Sequence, residues 1–324
     1  MVTKNIYINE SRTDLISLSE LAASATTYAN ASRALNTIRA YRASWLAFSR
    51  WCQEHGVEAQ PAEPKTVALY LSSMARDGMK VSTIRLSLTA ISEVHRSADL
   101  PFNAKDRILS AVWKGIRREV GVRPERKSPL LAADLKSILT GLDRGSVIGC
   151  RNAALLLVGF GGALRRSEVV ALNMDDITIN GQGMKILIRK SKTDTESAGA
   201  EIGIHRGSNP VTCVVAAYEN WIKVSGIISG AIFRRVFPDG RIGEDRLCLR
   251  AVGDIVKSCV MKVGLNPDDF GSHSLRAGFA SSAALAGCNL TTIMKQTRHK
   301  SVNDARIYVR DAELWQENAT RLLL

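Results

Sequence analysis

The sequence predicts a mainly α-helical protein with a small antiparallel β-sheet, divided into a helical N-terminal domain and a larger, α+β C-terminal domain. Three observations carry that prediction. The 324 residues exceed what one hydrophobic core comfortably organises. A segment of linker composition, VGVRPERKSPL, follows Glu119, with two prolines, a glycine and a basic run without periodicity. Apolar residues recur at helical spacing on both sides of it, and strand alternation is confined to one short stretch.

Across residues 32–54, Leu35, Ile38, Tyr41, Trp45, Phe48 and Cys52 fall at steps of three and four, which predicts one buried helix face. Arg39, Arg42 and Arg50 fall on another. Pro64 suits the first residue of a second helix running to about Arg76, where its missing N–H costs nothing, and Gly78 ends it. A third helix spans about residues 81–98, with Val81, Ile84, Leu88, Ile91 and Val94 inward. A fourth spans about 104–119, with Leu109, Val112 and Ile116 inward. The domains that follow are residues 1–119, a basic linker at 120–129, and residues 130–324. In the second domain MKILIRK (184–190) and AEIGIH (200–205) read as strands joined by the polar SKTDTESAG. The tail places Leu314, Trp315, Leu322 and Leu323 on a short terminal helix that docks either on its own domain or on a neighbour.

With 44 Lys and Arg against 31 Asp and Glu, the net charge is +13, a field that attracts a polyanion. Residues 1–128 hold 19 basic and 12 acidic side chains, leaving 25 and 19 for the remainder, so both halves are suited to one long ligand held between them. Nucleic acid fits this; an acidic membrane surface does not, because no stretch pairs a pure Lys/Arg face with a broad apolar one. The longest uncharged apolar run, residues 152–164, is far short of the roughly 20 residues a membrane helix needs. MVTKNIYINESRTDL has no apolar signal core, so a cytoplasmic location is expected. The six cysteines contain no Cys-x-x-Cys pair, which indicates reduced thiols and neither a disulfide framework nor a zinc knuckle.

On the third helix Arg85, Thr89, Ser92 and Arg96 line up in one stripe. A solvated polar face is the plain explanation. Two short hydroxyl side chains between two arginines, in so basic a chain, favour instead a helix that approaches DNA closely while its arginines reach bases or phosphates.

Four C-terminal segments hold basic groups: GGALRRSEVVAL with Arg165, KSKTDTESAG with Lys192, HSLR with His273 and Arg276, and TRHKSVNDARIYVRD with His299 and Tyr308. Singly each has a dull explanation: Arg165 paired with Glu168, an exposed loop lysine, structural histidines. Their order and spacing resemble the tyrosine recombinase or phage integrase family. Its catalytic domain carries an Arg in a Gly-x-x-Leu-Arg-x-x-Glu-like setting, a Lys in a strand-to-strand turn, His-x-x-Arg, a His or Trp, and a Tyr. Gly162, Leu164, Arg165, Ser167 and Glu168 supply the first piece, and His273 with Arg276 the third. His299 precedes Tyr308 by nine residues and Arg276 precedes it by 32. Thr297 and Arg298 stand where many members have Leu-Gly, a departure confined to that loop.

The resemblance covers the chain after about residue 30. It implies a small helical, SAM-like core-binding domain followed by the catalytic domain, and cutting and rejoining of DNA through a covalent link to Tyr308. It also implies a ring of four protomers on paired DNA sites, linked by swapped C-terminal segments. The chemistry explains why these residue types must meet. A phosphodiester resists attack because its non-bridging oxygens are negative, and the transition state gathers more charge there. Arg165 and Arg276 offer planar forks of donors with a charge that is not titrated away, and His299 adds one further donor. Tyrosine, with a pKa near 10, needs a base, for which His273 is the candidate. The departing 5′ oxygen needs a proton, which Lys192 on its loop is suited to give. Glu168 holds Arg165 in place.

A phosphotyrosyl link conserves the energy of the broken bond, so no nucleotide is required. Neither a GxxxxGK[ST] loop nor carboxylates spaced for two metals are present, and no cofactor is expected. The expected partner is double-stranded DNA with inverted-repeat half-sites. Two other readings share much of this: a type IB topoisomerase or telomere resolvase, which use the same chemistry, and a DNA-binding regulator that keeps the fold without cutting.

Overall fold

The computed structural model describes residues 17–31, 34–121, 126–191, 199–308 and 320–323. The chain divides into two compact units, Met1–Pro124 and Glu125–Leu324.

The first unit is helical: α1 (Leu18–Ala31), α2 (Leu35–Glu54), α3 (Pro64–Arg76), α4 (Val81–Ser97) and α5 (Arg107–Glu119). Pro64 opens α3 after Glu63, and Gly78 follows its last turn with φ +74°, a left-handed conformation that suits glycine. The fourth predicted helix starts three residues later than its periodicity suggested. Asp106 accepts hydrogen bonds from the N–H groups of Ile108 and Leu109 and so sets its first turn. The core joins Phe48, Leu71, Ile84, Ile91, Leu109 and Ile116.

One expectation needs correction. On α2 only the C-terminal half of the apolar stripe is covered: Phe48 and Cys52 are buried, whereas Leu35 is 70% and Ile38 41% exposed. Periodicity identifies a face; whether another element lies over its whole length is decided by packing. Helix α1 was not read from the sequence; its apolar residues are mostly alanines, with Leu18, Leu21 and Tyr28 the large ones.

In the second unit α6 (Ala132–Gly141) leads to α7 (Val147–Gly161), which is buried around its whole circumference at Ala153–Val158. This is the long uncharged run noted in the sequence, and it serves as the axis of the unit. Helix α8 (Arg166–Ala171) and a 3-10 turn (Met174–Asp176) lead into the strands β1 (Ile177–Ile179), β2 (Gly183–Ile188) and β3 (Ala200–His205). They form an antiparallel sheet ordered β1-β2-β3, with Ile186 opposite Ile177 and Ile202. After α9 (Val214–Ser225) comes an antiparallel ribbon, β4 (Arg234–Val236) and β5 (Ile242–Arg246), which the sequence did not suggest. Its three and five residues are rich in charge and lack clean alternation.

The chain continues through α10 (Leu249–Met261), α11 (Ser274–Leu285), α12 (Leu290–Thr297), α13 (residues 302–308) and α14 (Thr320–Leu323). Helix α11 lies against both α7 and α12. It also approaches the segment around Leu130 closely: the Leu130 N–H donates to the Ser274 carbonyl at 2.9 Å, and a Cβ on Gly278 would lie 1.8 Å from the Leu130 carbonyl oxygen. Of the terminal helix, Leu314 and Trp315 lie outside the described residues, as does the side chain of Leu322; Leu323 is exposed.

Candidate active site

Helix α7 ends at Gly161, and the chain turns through Gly162, Ala163 and Leu164 to reach Arg165. Ala163 has φ +44°, an unfavourable left-handed conformation for an alanine. The turn sets Arg165 at the N-cap of α8, where its backbone N–H donates to Glu168 Oε2 at 2.9 Å. The Glu168 side chain is buried and held on four sides. Oε1 accepts from Arg165 Nη1 at 2.7 Å and from Ser191 Oγ at 2.9 Å; Oε2 accepts from the Arg165 backbone and from Arg298 Nη2 at 2.9 Å. Burial alone would push its carboxyl up. The Arg298 charge, together with the hydrogen bonds and charge of Arg165, outweighs that and holds it below the usual carboxylate value.

Helix α11 contributes two groups. His273 stands at its N-terminus, and Arg276, one turn in, is 1% exposed. Arg276 Nη1 donates to the Ala163 carbonyl at 2.7 Å, while the buried Nη2 has no hydrogen-bond partner among the described residues. Burial, and then the neighbouring charges of Arg165 and Arg298, pulls its guanidinium down to about 10, which leaves it charged at neutral pH. A buried cation with an unused donor is an arrangement suited to an anionic ligand.

Tyr308 ends the described part of α13. Its backbone carbonyl accepts from Ser281 Oγ of α11 at 3.2 Å, and its hydroxyl lies 2.8 Å from His273 Nε2. Its ring stacks on that of His299, with centroids 5.6 Å apart and an interplanar angle of 17°. Burial raises the phenol above its ordinary value against the opposing pull of Arg276, Arg126 and Arg165. The hydroxyl is therefore protonated at neutral pH, and using it as a nucleophile would require a base.

His299 follows α12. Thr297 Oγ1 donates to the Ile293 carbonyl at 2.7 Å and lies 2.8 Å from His299 Nδ1. With the hydroxyl proton committed to Ile293, Nδ1 carries the imidazole proton and Nε2 is bare. Burial, and next the charges of Arg276 and Arg165, pushes this imidazole down to about 4, so it is neutral in the free protein.

The structure thus gathers Arg165, Glu168, His273, Arg276, His299 and Tyr308 around one locus. Lys192 lies outside the described residues, between Ser191 and Gly199. In the first unit Arg39, Arg42, Arg85, Thr89 and Arg96 are exposed and Ser92 is half-buried. The hydroxyls of Thr89 and Ser92 donate to the carbonyls of Arg85 and Leu88, both at 2.9 Å, and Arg96 pairs with Glu93. Sequence reasoning missed four contributors. Arg126 was visible only as part of a basic linker, Ser191 only as the neighbour of Lys192, and Thr297 and Arg298 only as departures from the family's Leu-Gly.

Comparison with known proteins places the chain in a family. Residues 129–314 match the family model described as "Phage integrase family", and residues 27–99 match "Phage integrase, N-terminal SAM-like domain". The chain is 38% identical over 291 residues to the integrase/recombinase xerD homolog of Selenomonas ruminantium, spanning 89% of this chain and 85% of the relative. It is 29% identical over 300 residues to recombinase cre of Escherichia phage P1, spanning 86% and 84%. Its fold is like that of XerH site-specific recombinase solved as a post-cleavage complex on a palindromic difH substrate, with a TM-score of 0.67, 18% identity and coverage of 94% and 84%. It is also like a lambda integrase dimer bound to a COC′ core site, with a TM-score of 0.58, 17% identity and coverage of 90% and 94%.

Proposed function

This chain belongs to the phage integrase family and is a tyrosine-type site-specific DNA recombinase, and from that premise we propose the step that its site performs. The Tyr308 hydroxyl attacks a backbone phosphorus and passes its proton to His273 Nε2. The bond from phosphorus to the 5′ oxygen breaks, Lys192 protonates that oxygen, and the 3′ end is left as a phosphotyrosyl ester. Reversal by the 5′ hydroxyl of another strand regenerates the tyrosine and completes the exchange. No nucleotide or metal enters the balance.

The observation that carries this reading is the 2.8 Å contact between Tyr308 Oη and His273 Nε2 beside the buried Arg276, whose Nη2 is unused among the described residues. Arg165 and Arg276 neutralise the non-bridging oxygens. His299 joins them as a donor once a phosphate is present, because the anion favours a proton on Nε2, taken either by imidazolium formation or by a switch of tautomer against Thr297. Glu168 keeps Arg165 aimed.

The partner in this reading is double-stranded DNA bearing inverted-repeat half-sites. The first unit contributes Arg39, Arg42 and the stripe of Arg85, Thr89, Ser92 and Arg96, and four protomers assemble through the C-terminal segment. In this reading the reaction takes place in the cytoplasm.

The test is a nicked target duplex, obtained by selecting binding sites from random DNA. Wild type should give a covalent protein–DNA band on a denaturing gel, and Tyr308→Phe should bind equally and give none. A persisting band would assign the nucleophile elsewhere. Relaxation of a plasmid lacking the selected site would favour a topoisomerase instead.

A further inference from the structure

Arg298 occupies the C-cap of α12 with φ +57° and ψ +41°, a left-handed conformation that side-chain-bearing residues adopt at a cost. Its side chain is only 11% exposed. Burying a guanidinium in a strained backbone position requires compensation, and the contacts show where it comes from. Nη1 donates to the carbonyls of Gln296 at 2.8 Å and Gly162 at 3.1 Å, and Nη2 donates to Glu168 Oε2 at 2.9 Å and to the Ala163 carbonyl at 3.2 Å.

Two of those acceptors are shared. Glu168 is the carboxylate that binds Arg165, and the Ala163 carbonyl is the acceptor for Arg276. Ala163 is itself left-handed, so two unfavourable backbone conformations face each other across one guanidinium. Arg298 therefore reaches both site arginines through one intermediary each, and it sits one residue before His299.

We propose that Arg298 is a positioning residue for strand cleavage: it clamps Glu168 and the Ala163 carbonyl so that the guanidinium groups of Arg165 and Arg276 are held in fixed directions toward the scissile phosphate. This rests on the reading of those two arginines as phosphate-binding groups. Both Nη groups of Arg298 are turned to protein acceptors, its buried Nε has no hydrogen-bond partner among the described residues, and the side chain acts through its neighbours. A glycine here would relax the backbone and lose the clamp. A lysine would keep the charge but lacks the planar fork that spans four acceptors.

The experiment measures single-turnover cleavage and DNA affinity for wild type, Arg298→Gly, Arg298→Lys and Arg165→Ala. Each is assayed on the natural duplex and on one carrying a methylphosphonate at the scissile position, in which a methyl group replaces one non-bridging oxygen. Arg298→Gly and Arg298→Lys should bind the natural duplex within about twofold of wild type yet cleave it about 10- to 100-fold more slowly, as misdirected groups do. The uncharged methylphosphonate asks less of the arginines, so the deficit of both variants should shrink on it, in parallel with that of Arg165→Ala. A general structural role would lower affinity and cleavage together and leave the deficit the same on both substrates, which overturns the proposal. Wild-type cleavage by both Arg298 variants overturns it too. If Arg165→Ala shows no deficit on the natural duplex, the parent assignment of the arginines fails, a separate result. Should Arg298→Gly not fold, Arg298→Lys carries the same comparison.

Discussion

The Thr297 hydroxyl lies 2.8 Å from Nδ1 of His299 and donates its proton to the Ile293 carbonyl at 2.7 Å. A buried hydroxyl between an imidazole and a helix carbonyl determines which ring nitrogen carries the proton. In the free protein that nitrogen is Nδ1. Nitrogen NMR of the free protein should show His299 Nε2 as an unprotonated ring nitrogen, and Thr297→Val should move the population toward protonated Nε2. A wild-type spectrum with Nε2 already protonated would refute the arrangement.

The same imidazole links pH to stability. An unfolded His299 takes a proton near pH 6.5, whereas the folded one, held down first by burial and then by Arg276 and Arg165, takes it at about 4. Between those values the unfolded chain binds more protons, so stability is full above about 6.5 and is lost as pH falls toward 4. Thermal unfolding of wild type and His299→Gln, compared from pH 7 to pH 5, should show the advantage of wild type shrinking with acid. An advantage that grows would reverse the sign of the linkage.

Lys192 is distinguishable from the arginines by the leaving group. If its contribution is to protonate the 5′ oxygen, a bridging 5′ sulfur should make it dispensable, because a thiolate departs without a proton. Lys192→Ala should be crippled on ordinary DNA and nearly restored on the sulfur substrate. Arg165→Ala and Arg276→Ala should stay slow on both, since the charge they offset sits on the non-bridging oxygens. Rescue of an arginine variant in place of Lys192→Ala would move the acid to another residue.

On α4, Arg85→Ala or Arg96→Ala should weaken binding to a selected site by about 1–3 kcal/mol and alter base preference if the side chain reads a base. Arg96 has first to leave Glu93, so Glu93→Gln is expected to strengthen binding, or at least not weaken it. An equal loss on every sequence, with a shallower salt dependence, would make the arginine a phosphate contact. An unchanged affinity would return the stripe to a solvated face.

Much of the fold and of the site was legible in the chain itself. Helices α3, α4 and α5 follow from short-range spacing and from Pro64, and β2 and β3 from alternation, because those signals reside in the backbone and in neighbouring side chains. Arg165, His273, Arg276, His299 and Tyr308, which the structure brings together, could be singled out because each lies in a local motif, and because their order along the chain and the spacing of the last four carry information. The three-residue β1 and the charged β4-β5 ribbon lack such a signal.

What the sequence determined by itself, then, is a set of candidate reacting groups, the helices of the first unit from α2 to α5, and the strands β2 and β3. Tertiary structure alone decided how those groups are held. The clamp from Arg298 to Glu168 and Ala163 spans 130 and 135 residues of chain. The burial that pushes the His299 imidazole down to about 4 likewise arises only once the surrounding elements close. The stripe on α2 makes the same point in reverse, since Leu35 and Ile38 share the period of Phe48 but not its cover. Hydrogen-bond direction, desolvation and coverage depend on distances through space, and those exist only after distant segments have packed together.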